Sequence, residues 1–191
     1  MRELRIHGRG GQGAVIASKV LAAALFAEGK DVQSFPAFGV ERRGAPVTAF
    51  LRFDDEPILL RCEITSPDDL IVLDPTLVEA VDVTTGLKEG GSILINSDRA
   101  PDGYSGLAGR YRVATVDAAE IARRHGLGSK TQPIVNTAIL GAFATASGMV
   151  SLDAVCAAIA DEVPIKTAEN VAAAREAAGL VLRSGTEASR A

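Results

Sequence analysis

"HGRGGQGAVIASKVLAAAL", residues His7–Leu25, decides the fold. Gly8, Gly10 and Gly13 spell the G-x-G-x-x-G of dinucleotide-binding loops. The preceding "ELRIHG" alternates as a strand does. The following "AVIASKVLAAALFAEG" gathers Val15, Val20, Leu21, Ala24 and Leu25 on one broad face and has Gly29 placed as a C-cap. A strand, a glycine turn and a helix start make an anion site on physical grounds alone, because free N–H groups and the positive end of the helix dipole point outward together. A dinucleotide needs one thing more: a carboxylate roughly 20 residues on, at the end of the second strand, for the ribose hydroxyls. Asp31 has the distance but stands at the start of that strand, and Arg9 and Gln12 are bulky, polar residues for a pyrophosphate cradle. Three readings stay open: a dinucleotide site, another anion site, and a tight turn packed on a neighbour.

Outward from this stretch, strands and helices alternate. "DVQSFPAFG" is extended, "VTAFLRFDDEPI" is a strand with a charged turn at Asp54–Asp55, and "LIVL" is the continuous apolar run of a central parallel strand. "TLVEAVDVTTGLKEGG" is predicted as a helix closed by Gly90 and Gly91. "SILINS" is the next strand, and "YRVATVDAAEIARRHG" gives a strand and then a helix capped by Asp117. From about Thr131 the pattern turns helical through "PIVNTAILGAFATASG", "LDAVCAAIADEV" and "AENVAAAREAAGLVLRSG". The expectation is an α/β, Rossmann-like layered fold with a mainly parallel sheet and a helical C-terminal third. It forms one domain over residues 1–183, followed by a polar tail, 184–191.

Composition narrows the function. In 191 residues, 47% hydrophobic and 4% aromatic with no Trp, the core must be aliphatic. The formal net charge of −4 speaks against a nucleic-acid surface, and no apolar run reaches transmembrane length, so a cytoplasmic protein is expected. Cys62 and Cys156 are too few for a cysteine-ligated cluster or a four-cysteine zinc site within the chain, and read as small buried fillers. His7 and His125 are the two histidines, far apart and outside any H-x-x-H or H-E-x-x-H pattern, so no metal motif is present. His7 reads as a hydrogen-bonded strand-end residue and His125 as a helix C-terminal cation. Asp74 lies at the carboxyl end of a central strand, where ligands of α/β sheets bind, and reads most simply as the cap of the next turn. Asn136 reads as an N-cap or packing residue. Ser18, Thr48 and Ser66 have no base and acid nearby in sequence, so no nucleophile is argued.

A second stretch is unusual. "FPAFGVERRGAPVTAFLR", Phe35–Arg52, frames Glu41-Arg42-Arg43 with phenylalanines, glycines and prolines. A rigid turn presenting arginines suits carboxylate or phosphate recognition, or a protein contact.

Taken together, "GRGGQG" and "FGVERRGAPV" at this spacing resemble the gamma subunit of 2-oxoacid:ferredoxin oxidoreductases, the pyruvate and 2-ketoisovalerate branch especially. The resemblance continues through "LIVLDPTL", "GLKEGGSILIN", "NTAILGAFATASGMVSLDAV" and "KTAENVAAAREA", from Glu3 to about Ala178. It implies a subunit of a complex in which alpha and beta subunits hold thiamine diphosphate and Mg2+. A ferredoxin-like delta subunit carries [4Fe-4S] clusters, coenzyme A takes the acyl group and ferredoxin the electrons. By this resemblance the chain itself has no catalytic residue and no metal. Gly8, Arg9, Gly10, Gly11, Gln12 and Gly13 become a coenzyme A, anion or interface loop. Phe38, Gly39, Val40, Glu41, Arg42, Arg43, Gly44, Ala45 and Pro46 become a subunit contact. Pyruvate is the expected 2-oxoacid, with 2-ketoisovalerate or an aryl 2-oxoacid such as phenylglyoxylate as alternatives, and a stand-alone nucleotide-binding module as the reading outside the family.

Overall fold

The computed structural model describes residues 1–37 and 44–184. Phe38, Gly39, Val40, Glu41, Arg42 and Arg43, and the tail from Gly185, lie outside the described residues.

Strand β1 (Arg2–Arg9) buries Leu4, Ile6 and Gly8 on one face and turns Arg5, His7 and Arg9 to the other, as its alternation predicts. It leads into helix α1 (Ala14–Ala27), then β2 (Asp31–Pro36), β3 (Pro46–Asp54), β4 (Asp69–Val72), the single helical turn α2 (Leu77–Ala80) and β5 (Ser92–Asn96). A 3-10 turn (Pro101–Tyr104) and α3 (Ser105–Ala108) precede β6 (Arg112–Val116) and α4 (Ala118–Arg124). Helices α5 (Ala138–Ser147), α6 (Leu152–Glu162) and α7 (Thr167–Leu180) follow, and the two-residue strand β7 (Leu182–Arg183) closes the order.

The strands form one sheet in the order β2-β3-β1-β4-β5-β6-β7. Its four central strands, β1, β4, β5 and β6, run parallel, and antiparallel strands flank them on both sides. All four residues of β4 are buried, which is why "LIVL" shows no alternation: both faces of a central parallel strand are covered. Because β2 and β3 are antiparallel and β3 is antiparallel to β1, the strand reached through α1 runs parallel to β1 but lies one strand further out.

Helices α1 and α4–α7 cover one face and share a large core with Leu4, Ile6, Leu51, Ile71 and Leu94. Small side chains let them pack closely. A Cβ on Gly141 of α5 would stand 1.9 Å from the carbonyl oxygen of Ala174 in α7. The opposite face is covered by turns: Leu77, Val83, Leu87 and Tyr111 pack on Leu70, Val72, Ile93, Ile95 and Val113. Toward β3 this second face turns polar. Arg52, 1% exposed, donates to the Glu3 carboxylate at 2.7 Å and lies over the Phe35 ring.

Five expectations are corrected. The helix predicted over residues 76–91 is a single turn, Leu77–Ala80, because Gly86 and Gly90 take positive φ and Asp82 ties Thr84 and Thr85 into a turn of its own. Residues 133–137 precede α5 rather than begin it, and α7 ends at Leu180, after which the chain joins the sheet. Cys62 is exposed, unlike the buried Cys156, since it lies in the irregular segment between β3 and β4. The ring Nε2 of His7 is buried with no hydrogen-bond partner, and β1 runs on to Arg9 beyond it.

Candidate functional site

The carboxyl ends of β1, β4 and β5 open on one edge of the sheet. A cleft of about 810 Å3 lies there, walled by the glycine loop, the Leu73–Pro75 turn, Asn96 and the 131–135 segment. Chain topology puts it there: parallel strands leave their carboxyl-end loops side by side, and the chain diverges to opposite sides of β1 and β4.

The glycine loop is built by conformation and by staples. Gly11 and Gly13 take φ of 98° and 81°, a region that favours glycine. Gly10 N–H donates to Ala45 O at 2.9 Å, and Gly44 N–H donates to Gly10 O at 3.1 Å, so the described end of the second unusual stretch is zipped to the first. The polar residues of the loop face Asp74. Arg9 Nε and Gln12 Nε2 each donate to its Oδ2 at 3.0 Å, while Thr76 N–H and Oγ1 donate to Oδ1. Arg9 also donates through Nη1 to Gly44 O and through Nη2 to Thr76 Oγ1, and Gln12 Oε1 accepts from Arg9 N–H. Burial pushes the Asp74 carboxyl up. The Thr76 and Gln12 hydrogen bonds and the Arg9 charge outweigh that and hold it below the ordinary carboxylate range. Asp74 is therefore both the turn cap expected of it and the clamp on the loop.

The start of α1 follows the loop. Gly13 is its N-cap, no side chain caps it and no acid stands in its first turn. Its first N–H groups are an unspent positive end. Across the cleft Arg123 is held by Glu120 of its own helix.

The dinucleotide reading does not survive the geometry. β2 runs parallel to β1, so Asp31, first residue of β2, stands at the opposite end of the sheet from the glycine loop. There its Oδ2 accepts from Ile58 N–H. β3, moreover, occupies the place beside β1 where the second strand of a dinucleotide fold pairs. His125 sits at the α4 C-cap, 2.6 Å from Glu176, away from the cleft. Asp117 caps α4 by accepting from Glu120 N–H. One residue weighed only as a cap or packing group is placed in an unexpected way. Asn136 is not the N-cap of α5, which is Thr137, but lies against Gly13.

This architecture is shared with known proteins. The family model described as pyruvate ferredoxin/flavodoxin oxidoreductase matches residues 3–180. The pyruvate/ketoisovalerate oxidoreductases common subunit gamma of Pyrococcus abyssi is 51% identical over 180 residues, 93% of this chain and 95% of that one. Pyruvate synthase subunit PorC of Methanocaldococcus jannaschii is 50% identical over 178 residues, with 93% and 95% covered. The crystal structure of pyruvate oxidoreductase subunit PORC from Thermotoga maritima has a TM-score of 0.81 at 35% identity, covering 96% of this chain and 98% of that one. A 2-oxoglutarate:ferredoxin oxidoreductase from Magnetococcus marinus, solved with 2-oxoglutarate, coenzyme A and succinyl-CoA bound, shares the fold at 20% identity and a TM-score of 0.70. The likeness covers 93% of this chain and 31% of that longer one. The match of the family model to residues 3–180, the half-identity to gamma subunits over nearly the whole length and the shared fold lead to one conclusion: the chain belongs to the pyruvate ferredoxin/flavodoxin oxidoreductase family, as a member of its gamma-subunit type.

Proposed function

We propose that this chain is the gamma subunit of a thiamine-diphosphate-dependent 2-oxoacid:ferredoxin oxidoreductase. The reaction is the oxidative decarboxylation of a 2-oxoacid, pyruvate first, with coenzyme A, giving acyl-CoA and CO2 while two electrons pass to ferredoxin. The chain supplies structure, subunit contacts and one wall of the coenzyme A site. Family membership supports the reaction class, and the cleft supports the role. Gly10, Gly11 and Gln12 of the glycine loop line the cleft, and its volume of about 810 Å3 suits a ligand of coenzyme A size better than a lone anion. Among the described residues no group of three His, Cys, Asp or Glu side chains is placed to hold a metal ion. By the family's pattern, the reading assigns thiamine diphosphate with Mg2+ and the [4Fe-4S] clusters to alpha, beta and delta partners. Thiamine diphosphate, once bound by them, supplies the carbanion chemistry; this chain's residues bind and orient the acceptor. The glycine-loop residues Gly8–Gly13 serve the ligand, and Gly44, Ala45 and Pro46, with the neighbouring arginines Arg42 and Arg43, serve the contact between subunits. No helix among the described residues is long and apolar enough to cross a membrane, and the reading places the complex in the cytoplasm.

The test is tagged purification from the native host. Thiamine-binding and iron–sulfur subunits are expected in the eluate, which should reduce ferredoxin with pyruvate and coenzyme A faster than with 2-ketoisovalerate or phenylglyoxylate. Recovery of the chain alone, with the partners expressed, overturns the subunit reading, and a reversed order of rates overturns the choice of pyruvate.

A further inference from the structure

The polar part of the sheet's second face holds a guanidinium that the fold does not finish. Arg52 is 1% exposed. Its Nε donates to the Glu3 carboxylate at 2.7 Å, and its Nη2 donates to Glu63 O at 3.3 Å and to the sulfur of Cys62 at 3.6 Å. Its Nη1 is buried and has no hydrogen-bond partner. The Phe35 ring, its centroid 5.7 Å away, covers one face of the guanidinium and offers no conventional acceptor. A buried donor left unmade is costly, the more so on a charged group, and calls for an acceptor.

Cys62 is the exposed member of this arrangement. It lies in the irregular segment between β3 and β4. Leu59, Leu60, Arg61 and Glu63 are exposed around it, while Ile64, 2% exposed, anchors the segment to the protein. The other cysteine, Cys156, is buried in α6, among the helices of the opposite face. A thiol that meets solvent and touches a guanidinium is in the kind of setting where cysteines react.

We infer that Cys62 is a modification site for small hydroperoxides, with Arg52 as the group that holds the product. The sulfur attacks the outer oxygen of the hydroperoxide; an S–O bond forms and the O–O bond breaks. The thiol proton goes to the departing oxygen, which leaves as an alcohol, or as water when the reagent is hydrogen peroxide. The sulfur is oxidised by two electrons to sulfenic acid and the peroxide is reduced by the same two. The new oxygen does not have to enter a closed compartment as a free ligand. It arrives bonded to a sulfur already in contact with the guanidinium, and it is the acceptor that Nη1 lacks. With Cys156 buried on the opposite face, no second thiol of the chain closes a disulfide on it. The inference stands on Cys62 and Arg52 and is independent of the reading of the cleft.

The test uses the full chain as purified with its native partners, freed of reductant, treated briefly with hydrogen peroxide and then with dimedone. The readout is mass spectrometry of its cysteine peptides. A dimedone adduct is expected on Cys62 and none on Cys156. When the peroxide is removed first and dimedone is added at intervals, the sulfenic acid is expected to decay about tenfold faster in Arg52→Met than in the wild type, the factor that one hydrogen bond from a charged donor supplies. Arg52→Met strands the Glu3 carboxylate and can cost the fold, so a second measurement needs no change at Arg52. Amide exchange of residues 59–64 is expected to slow on oxidation of the wild type, because the new oxygen ties the segment to β3, and to stay unchanged in Cys62→Ala treated alike. No adduct at Cys62 overturns the inference. So does an equal lifetime in a folded Arg52→Met, and so does exchange that fails to slow on oxidation or slows equally in Cys62→Ala.

Discussion

The two faces of the sheet solve the same problem with different materials. One is covered by five helices whose Ala and Gly contacts bring backbones together, the other by turns that lay single apolar side chains on β4, β5 and β6. Helices packed at small residues form a rigid body with no room to yield. Turns carry their own hydrogen bonds and can shift by part of an ångström, and three arginines of the sheet, Arg5, Arg9 and Arg52, lie on their side. The difference teaches that the rigid face frames the cleft while the adaptable face carries its polar fastenings.

The sharpest challenge to that contrast is a single methyl on the helical face. Gly141→Ala drives a Cβ into the Ala174 backbone, and a loss of about 4 kcal/mol is expected by denaturant unfolding, because neither α5 nor α7 can retreat without opening the core. A loss under 1 kcal/mol would break the contrast.

Next in size is a pH effect on the polar face. Burial, and then the Arg5 charge, lowers the pKa of His7 to about 4 from an ordinary 6.5. Between these values the unfolded chain binds the proton that the folded chain refuses, so stability falls as pH drops from 6.5 toward 4, by about 3 kcal/mol at the lower end. In His7→Leu that part of the acid dependence should vanish from the unfolding curves. An unchanged slope would show that protonated His7 is accommodated.

The third test repeats the first among the turns. Gly86 has φ of 76°, and a Cβ there meets Thr65 O at 2.0 Å. The clash is as close as that at Gly141, but it joins two turns. Gly86→Ala should cost about 2 kcal/mol, most of it the left-handed backbone. Equal losses at residues 141 and 86 would mean that the turns are as unyielding as the helices.

Legibility in the sequence followed the same division. The periodicity of α1, the apolar runs of β4 and β5 and the cap at Asp117 are local signals, and each lies where its residues predict, while Gly29 falls one residue past the C-cap, which is Glu28. Residues 76–91 misled because Leu77, Val78, Val81 and Val83 read as a helical face, whereas Asp82, Gly86 and Gly90 decide the backbone locally. The polar glycine loop was noticed for Arg9 and Gln12, yet their partner Asp74 lies more than sixty residues away, beyond the reach of spacing arguments. The place of Asn136 at Gly13 is likewise a product of folding: a lone Asn before an apolar run signals a cap, and nothing in the string distinguishes a cap from an unmet acceptor. Exposure of Cys62 did have a local signal, since Arg61 and Glu63 flank it, but a cysteine's usual preference for burial outweighed it.

The position of β1 bears on how the chain comes to be folded. Strand β1 is a central one, and it pairs with no immediate successor: β2 lies beyond β3, and the Arg2 guanidinium meets its Asp69 carboxylate 67 residues later. During synthesis both edges of β1 stay open until β3 and β4 have left the ribosome, and closing such long loops is the slow step in sheet assembly. Helix α1, which can form early, then has its most useful role before there is a core at all, by shielding the apolar side of a strand that waits for its neighbours.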